Sequence, residues 1–306
     1  MPIGAAIACL FPNRAAFSCE RYEPESTIGQ RASATRAMND SLHRFRPAQR
    51  VASPLQKSRS RTAGRPPRKP VLVVLHQENS TAGRVGRLLQ ARGHALDIRR
   101  PRYGDPLPTT MREHAGAVIF GGPMSANDPD DFVKAEIDWI GTCLKEQAPF
   151  LGICLGAQML TRHLGGRVDA HHEGRAEVGY YPLALTEAGR GHADLSGAVW
   201  PGIVYQWHRE GFECPNGAEC LATGGDFPVQ AIRVGKNAYG LQFHPEVTLA
   251  MMYRWSVRGH ARTLLPGAQP RQQHIEGWFQ HDAAVARWLD RFLAHWLDEP
   301  VLSRIA

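Results

Sequence analysis

The segment Gly152-Ile153-Cys154-Leu155-Gly156 gives the strongest local signal in this sequence. It follows the apolar run Phe150–Ile153 and precedes a helical pattern that extends through Leu164, so Cys154 stands where a strand turns into a helix. Two glycines around one residue let the backbone reverse sharply and lift the Cys154 side chain above the strand end. A buried cysteine at a helix start is the alternative, but it explains the flanking glycines less well. The pattern therefore predicts a nucleophile elbow.

The position of Cys154 suits a nucleophile, because the N-terminus of a helix stabilises the thiolate, which is the reactive form of cysteine. The amide of Leu155 would point into the same space and could donate to an oxyanion. The other cysteines lack this context, and we expect them to be structural: Cys9, Cys19, Cys143, Cys214 and Cys220.

Strands and helices alternate around this elbow. The expected early strands are short apolar runs: Val71–Leu75, Ala95–Ile98, Gly116–Phe120 and Phe150–Ile153. The expected helices have apolar residues at helical spacing: Gly83–Arg92, Phe132–Gln147, the segment from Cys154 to Leu164, and Ala283–Leu297. Later segments are typical of shorter strands, several of them antiparallel: Tyr180–Leu185, Ile203–Gln206, Val229–Val234 and Ala238–Phe243. The alternation predicts an α/β fold with a mostly parallel sheet covered on both faces.

A cysteine nucleophile needs a base, and the motif Gly240-Leu-Gln-Phe-His-Pro-Glu246 offers the best one. Residues two apart in an extended segment face the same side, so Glu246 could accept a hydrogen bond from one nitrogen of His244 while the other nitrogen faces Cys154. A surface histidine beside a solvated glutamate is the alternative. The elbow about 90 residues earlier favours the catalytic interpretation.

A glycine pair, Gly121-Gly122, follows the predicted strand Gly116–Phe120. Glycines there allow backbone amides to approach a ligand closely. The pair would lie beside the elbow at the carboxyl end of the sheet, where open α/β sheets bind ligands. A plain turn at the end of a strand is the competing interpretation.

The positive charge of the chain belongs to one segment. The 306 residues have a net charge of +7, yet residues 1–69 alone hold 13 Lys and Arg against 4 Asp and Glu, and residues 70–306 hold 23 against 25. We expect 1–69 to be a basic, disordered extension and 70–306 to be the folded domain. The extension could be a non-functional addition, which we favour, a transit peptide or a nucleic-acid-binding arm.

The composition excludes other classes of protein. No window approaches the ~20 consecutive apolar residues of a membrane helix, so no integral membrane protein is expected. Six cysteines are too few for a disulfide scaffold, and their spacing fits no common zinc site. We therefore expect a cytoplasmic protein that holds no metal and no cofactor, and nucleic acid is an unlikely partner.

Three motifs together resemble the class I, or triad-type, glutamine amidotransferases over most of residues 71–250. They are Phe120-Gly-Gly-Pro123, Phe150-Leu-Gly-Ile-Cys-Leu-Gly-Ala-Gln158 and Gln242-Phe-His-Pro-Glu246. Within this family the chain is most similar to stand-alone proteins like the glutaminase domain of GMP synthetase. The resemblance implies a flavodoxin-like three-layer sandwich and hydrolysis of the glutamine side-chain amide.

The resemblance also implies a role for each matching residue. Cys154 would be the nucleophile, His244 would carry protons and Glu246 would orient it. The amides of Gly122 and Leu155 would hold the oxyanion. The glutamine pocket would include five further residues: Gly121, Gln158, Trp207, His208 and Phe212. For His208, a local structural hydrogen bond is an equal alternative.

The sequence leaves the fate of the ammonia open. No Ser-Gly-Gly-x-Asp-Ser phosphate loop is present, and Ala222-Thr-Gly-Gly-Asp226 is typical of a turn. We therefore expect any ammonia-using synthetase to lie on another chain. Two alternatives remain: a γ-glutamyl amide or peptide hydrolase with the same triad, and a regulatory module that kept the fold without activity. The acceptor, the pathway and the oligomeric state are not readable from the sequence.

Overall fold

The central sheet has eight strands in the computed structural model, which describes residues 68–298 except the side chains of 194 and 195. The strands of the described chain are β1 Val71–Val74, β2 Leu96–Arg99, β3 Gly116–Ile119, β4 Phe150–Ile153, β5 Val168–Ala170, β6 Glu177–Pro182, β7 Ala184–Leu185, β8 Ile203–His208, β9 Glu210–Phe212, β10 Ala218–Thr223, β11 Val229–Val234 and β12 Ala238–Leu241. Its α-helices are α1 Gly83–Ala91, α2 Asp131–Lys145, α3 Leu155–His163, α4 Glu187–Ser196, α5 Leu249–Arg258 and α6 Arg271–Trp296.

The sheet is mostly parallel, as predicted. Its strand order is β2-β1-β3-β4-β12-β11-β10-β7. Neighbours from β2 to β12 run parallel, and β11, β10 and β7 add an antiparallel edge. Strands β1, β3 and β4 are buried throughout, which explains why their sequences are continuous apolar runs rather than alternating ones. The remaining strands pair outside this sheet, β5 with β9 and β6 with β8.

Helices cover both faces of the sheet, so the protein has three layers. On one face Val85 and Leu89 of α1 and Trp288 and Phe292 of α6 pack in one apolar cluster with alternate residues of β1, β4 and β12. On the other face α2 and α3 pack against the opposite residues, with Ile140 fully buried. This alternation of faces follows from the two-residue repeat of a strand. The predicted flavodoxin-like sandwich is confirmed.

Three helical segments differ from the sequence prediction. Helix α6 begins at Arg271, twelve residues before the expected start at Ala283. Its first half holds Gly277, where a Cβ would lie 2.3 Å from the ring of Tyr180, so the glycine serves close packing and hides the helical pattern. Helices α4 and α5 were not predicted. Each begins at a threonine whose hydroxyl accepts a hydrogen bond from a helical amide, Thr186 from Gly189 and Thr248 from Met251.

The predicted basic extension, residues 1–69, lies outside the described residues except for its last two. Of the turn predicted at residues 222–226, residues 224–226 lie in the connection between β10 and β11, whereas Ala222 and Thr223 are the last residues of β10. Within residues 68–298, no helix combines the length and the apolar character that crossing a membrane requires.

Candidate active site

The three motifs meet because they follow neighbouring parallel strands. Strands β3, β4 and β12 are adjacent, with Ile119 paired to Gly152 and Leu241 paired to Ile153. Their carboxyl ends therefore lie at one edge of the sheet. The backbone amide of Cys154 donates to the carbonyl of Leu241 at 2.7 Å, which fixes the elbow against the strand that leads to His244.

The elbow at Cys154 requires its glycines. Cys154 has φ 51° and ψ −104°, a left-handed conformation that a non-glycine residue adopts at a cost of about 1–3 kcal/mol. A Cβ on Gly156 would lie 2.1 Å from the carbonyl oxygen of Ile119, and one on Gly152 would lie 2.4 Å from the backbone of Gly156. Only glycine fits at both positions, so the local sequence imposes the tight turn that holds Cys154 ahead of α3.

His244 is held by Glu246 beside Cys154. The Nδ1 atom of His244 lies 2.8 Å from Oε1 of Glu246, and both side chains are buried. The Nε2 atom is also buried and has no hydrogen-bond partner of standard geometry within residues 68–298. Burial alone would lower the pKa of His244, but the negative charges of Glu246 and of the Cys154 thiolate outweigh it and raise that pKa to about 10. His244 is therefore favoured in its imidazolium form at neutral pH.

Elements distant in sequence fix the loop that carries His244 and Glu246. The amide of Arg84 donates to the carbonyl of Glu246 at 2.8 Å, and its guanidinium donates to the carbonyl of Pro245 at 3.1 Å. The ring of Trp255 on α5 packs edge-on against the imidazole of His244, with 5.0 Å between the centroids. These contacts restrict the rotation of the imidazole, so it keeps one orientation toward the elbow.

The glycine pair after β3 lies against the side chains of Cys154 and His244. A Cβ on Gly121 would lie 3.0 Å from Cε1 of His244 and 3.8 Å from Sγ of Cys154. The absent side chain leaves the space in which a carbonyl group could approach the sulfur. Gly121 and Gly122 both line the cavity described below.

A buried histidine that the sequence analysis missed supports this glycine pair. Nδ1 of His76 lies 3.2 Å from the carbonyl oxygen of Gly121, and its Nε2 lies 2.8 Å from Oε2 of Glu136 on α2. No peptide bond of the described chain is cis. Because the C=O and N–H of a trans peptide point in opposite directions, the contact from His76 directs the amide of Gly122 away from His76. The only sequence signal for this role was a polar residue directly after an apolar strand.

A cavity of about 500 Å³ opens over Cys154, His244 and Glu246. Its lining includes six of the predicted site residues: Cys154, His244, Glu246, Gly121, Gly122 and Trp207. Leu155 is buried at the first turn of α3, next to Cys154.

Three residues expected in the substrate pocket do not line this cavity. The amide of Gln158 donates to the carbonyl of Glu210 at 2.9 Å, beneath the elbow. His208 contacts that same carbonyl through Nδ1 and Glu177 through Nε2, each at 3.0 Å. Phe212 packs in the core beside α3. All three side chains are buried, so they lie behind the cavity rather than in its lining.

Comparison with known proteins agrees with this architecture. The family model "Glutamine amidotransferase class-I" matches residues 75–253, more than half of the chain. The chain therefore belongs to the class I glutamine amidotransferase family. The glutamine amidotransferase-like protein YfeJ of Salmonella typhimurium is 32% identical over 181 residues, which cover 58% of this chain and 75% of YfeJ.

Further comparisons show how much of each protein is similar to this chain. A glutamine-hydrolysing GMP synthase of Streptococcus pyogenes is 37% identical over 136 residues, but the match covers 43% of this chain and only 24% of the synthase. A solved glutamine amidotransferase of Thermotoga maritima superimposes with a TM-score of 0.66 at 26% identity, over 75% of this chain and 98% of its own. A glutamine amidotransferase of Methylobacillus flagellatus gives a TM-score of 0.70 at 23% identity, over 78% and 98%, and supports the fold.

Proposed function

We propose that this chain is a cysteine-dependent glutaminase that hydrolyses the side-chain amide of glutamine to glutamate and ammonia. The observation that carries the proposal is the buried His244–Glu246 pair beside the Cys154 elbow, open to one cavity. Membership in the class I glutamine amidotransferase family supports the same chemistry.

The first half of the reaction forms a thioester. The Cys154 thiolate attacks the γ-carbonyl carbon of glutamine, and the carbonyl oxygen becomes an oxyanion. The His244 imidazolium gives its proton to the leaving nitrogen, the C–N bond breaks and ammonia departs. Glu246 holds His244 in the tautomer and orientation that this transfer requires.

The second half returns the enzyme to its starting state. Neutral His244 takes a proton from water, the resulting hydroxide attacks the thioester, and the C–S bond breaks. Glutamate leaves, and the thiolate–imidazolium pair forms again. One water is consumed and one ammonia is produced in each cycle.

The amides of Gly122 and Leu155 are the proposed oxyanion donors. Leu155 supports this role by following the nucleophile at the N-terminus of α3. Gly122 supports it because His76 holds the carbonyl end of the same peptide from the opposite side. His76 is thus proposed as a positioning residue. Each donor of this kind contributes about 10²–10³ in rate.

The ammonia would be used by a synthetase or acceptor subunit on another chain. The support is the limited match to the GMP synthase, which spans 24% of that protein.

A γ-glutamyl amide or peptide hydrolase is the second candidate, and the cavity favours it. A volume of about 500 Å³ falls within the range that holds drug-sized ligands, and it exceeds what glutamine alone would fill. The nucleophile and base would be the same, with an amine or peptide in place of ammonia as the leaving group.

A substrate panel separates these functions. The full chain is incubated with glutamine and with γ-glutamyl amides and peptides, and the release of ammonia or amine is measured. Ammonia release with glutamine as the preferred substrate supports the glutaminase, whereas a preference for larger compounds supports the hydrolase. Release from no compound would contradict both and favour a regulatory module.

A further inference from the structure

Two arginines of neighbouring segments line the cavity beside Cys154. Arg258 lies at the end of α5, and Arg262 lies in the 3₁₀ segment His260–Leu264 that follows. Both line the cavity that holds Cys154. Within residues 68–298, neither guanidinium has a hydrogen-bond or ion-pair partner. Arg254 of the same wall differs, because it donates to the carbonyl of Asn79 at 3.3 Å.

Arg262 is the more enclosed of the two. Its side chain is half-buried, whereas Arg258 is exposed at the mouth. Burial lowers the pKa of the Arg262 guanidinium, and the negative charge of the Cys154 thiolate opposes that effect. Arg209 and Glu210 are the other charged groups that act on it. An arginine remains cationic in proteins, so a half-buried guanidinium here is a binding group for an anion.

The charge of the cavity lining also favours an anionic ligand. Four arginines line it: Arg102, Arg254, Arg258 and Arg262. The carboxylates of the lining are Glu78 and Glu246, and Glu246 is engaged by His244. A cavity with this excess of positive charge concentrates anionic ligands. The planar fork of a guanidinium matches a carboxylate in bidentate geometry, which gives it orientation as well as affinity.

We propose that Arg262 binds a carboxylate of the substrate and sets its specificity, with Arg258 adding positive charge at the mouth. The proposal rests on the proposed amide hydrolysis and names the group that the substrate must carry besides its γ-amide. Two carboxylates could serve: the α-carboxylate of the glutamyl part, or a carboxylate on the leaving group of a larger γ-glutamyl compound. Either would be held by Arg262 while the γ-carbonyl faces Cys154.

Kinetics with paired substrates test the proposal. Two pairs of substrates are used, and the members of each pair differ in one carboxylate. The first pair is glutamine and its α-carboxamide, and the second is γ-glutamylglycine and γ-glutamyl ethylamide. The kcat and KM of Arg262→Gln and of wild type are measured on all four compounds. We expect the variant to raise KM for the carboxylate-bearing member of one pair by about 10- to 100-fold, with kcat within about 3-fold, because one charge-assisted pair is lost. The first pair reports the α-carboxylate, and the second reports the leaving group. Arg87→Gln, at an exposed arginine of α1 outside the cavity lining, is the matched control and should match wild type.

Two results would overturn the proposal. One is an equal effect of Arg262→Gln on both members of both pairs. The other is a loss of kcat with unchanged KM, which would mean that Arg262 acts only on the charge of Cys154.

A binding measurement separates this proposal from the proposed reaction. Glutamate and γ-glutamylglycine are titrated calorimetrically into Cys154→Ala and into Cys154→Ala/Arg262→Gln. The carboxylate subsite is supported if at least one ligand binds to Cys154→Ala and binds about 10-fold or more weakly to Cys154→Ala/Arg262→Gln. This holds even if the wild type releases no ammonia. Equal binding to both variants, or no binding to either, contradicts the subsite whatever the wild type hydrolyses.

Discussion

The buried His76–Glu136 pair offers a direct test of the proposed oxyanion-binding peptide, Gly121–Gly122. His76 touches the carbonyl of Gly121, and both members of the pair are fully buried. The variant to make is the double substitution His76→Phe/Glu136→Met. It removes the contact that orients the Gly121–Gly122 peptide without leaving a buried carboxylate unpaired.

The expected magnitudes follow from that geometry. The single substitution His76→Phe leaves Glu136 buried without its partner and should lower the free energy of unfolding by about 3–5 kcal/mol. The double variant replaces both polar groups by apolar ones, and we expect its free energy of unfolding to stay within about 1–2 kcal/mol of wild type. Loss of one oxyanion donor costs about 10²–10³ in kcat. Because the amide of Gly122 remains but is held less firmly, the double variant should lose about 10- to 100-fold.

The assay combines urea unfolding with glutamine-dependent ammonia release. His192→Phe is the matched control, since His192 is also buried, contacts the hydroxyl of Tyr239 at 3.0 Å and does not line the cavity. It should lose stability and keep kcat. A double variant that is folded and retains full kcat would refute the positioning role of His76.

Four further predictions concern the proposed triad and its glycine. The activity should be level through neutral pH and fall as pH rises through about 10, where His244 loses the proton that ammonia needs; a fall centred near 6.5 would contradict this. Because the pKa of His244 is higher in the folded state, protonation of His244 adds to the free energy of unfolding. This contribution is complete below about pH 6.5 and is lost as pH rises through about 10, which unfolding measured at several pH values should show. Gly121→Ala should lower the free energy of unfolding by only about 1–3 kcal/mol, since the added methyl group would lie 3.0 Å from His244. It should lower kcat/KM by about 10- to 100-fold, because the methyl group occupies the space through which the substrate carbonyl approaches Cys154. Wild-type activity in steady-state kinetics would refute that approach. Glu246→Gln should keep the fold and lower kcat by about 10²- to 10⁴-fold, and an unchanged kcat would remove Glu246 from the triad.

The parts of the structure that local signals determine could be predicted from the sequence. The strands around Phe150–Ile153 are short apolar runs between turn residues, and their order with the helices specifies a parallel sheet. The elbow was predictable because its tight turn leaves no room for a side chain at Gly152 or Gly156, and both glycines are adjacent to the turn in the sequence. His244 and Glu246 were predictable because they share one side of an extended segment after another strand.

Other site residues left little or no local pattern. Trp255 and Arg262 border the site from α5 and the segment after it, and only the packing of α5 brings them there. His76 gave only the signal of a polar residue after an apolar strand, and its partner Glu136 lies on α2, 60 residues away in sequence. Gln158 belongs to the same motif as the nucleophile, and His208 belongs to a segment expected to form the pocket, yet their contacts with the carbonyl of Glu210 hold both behind the site. Proximity in sequence to a catalytic residue therefore did not decide which side chains border the cavity.

Ammonia release from glutamine by the full chain, compared among wild type, Cys154→Ala and Cys143→Ala, tests the nucleophile most directly. Cys143 is the matched control, because it is buried on α2 and burial raises the pKa of its thiol to about 12. We predict that Cys154→Ala abolishes ammonia release while Cys143→Ala retains it. Full activity in Cys154→Ala would contradict the cysteine-dependent mechanism.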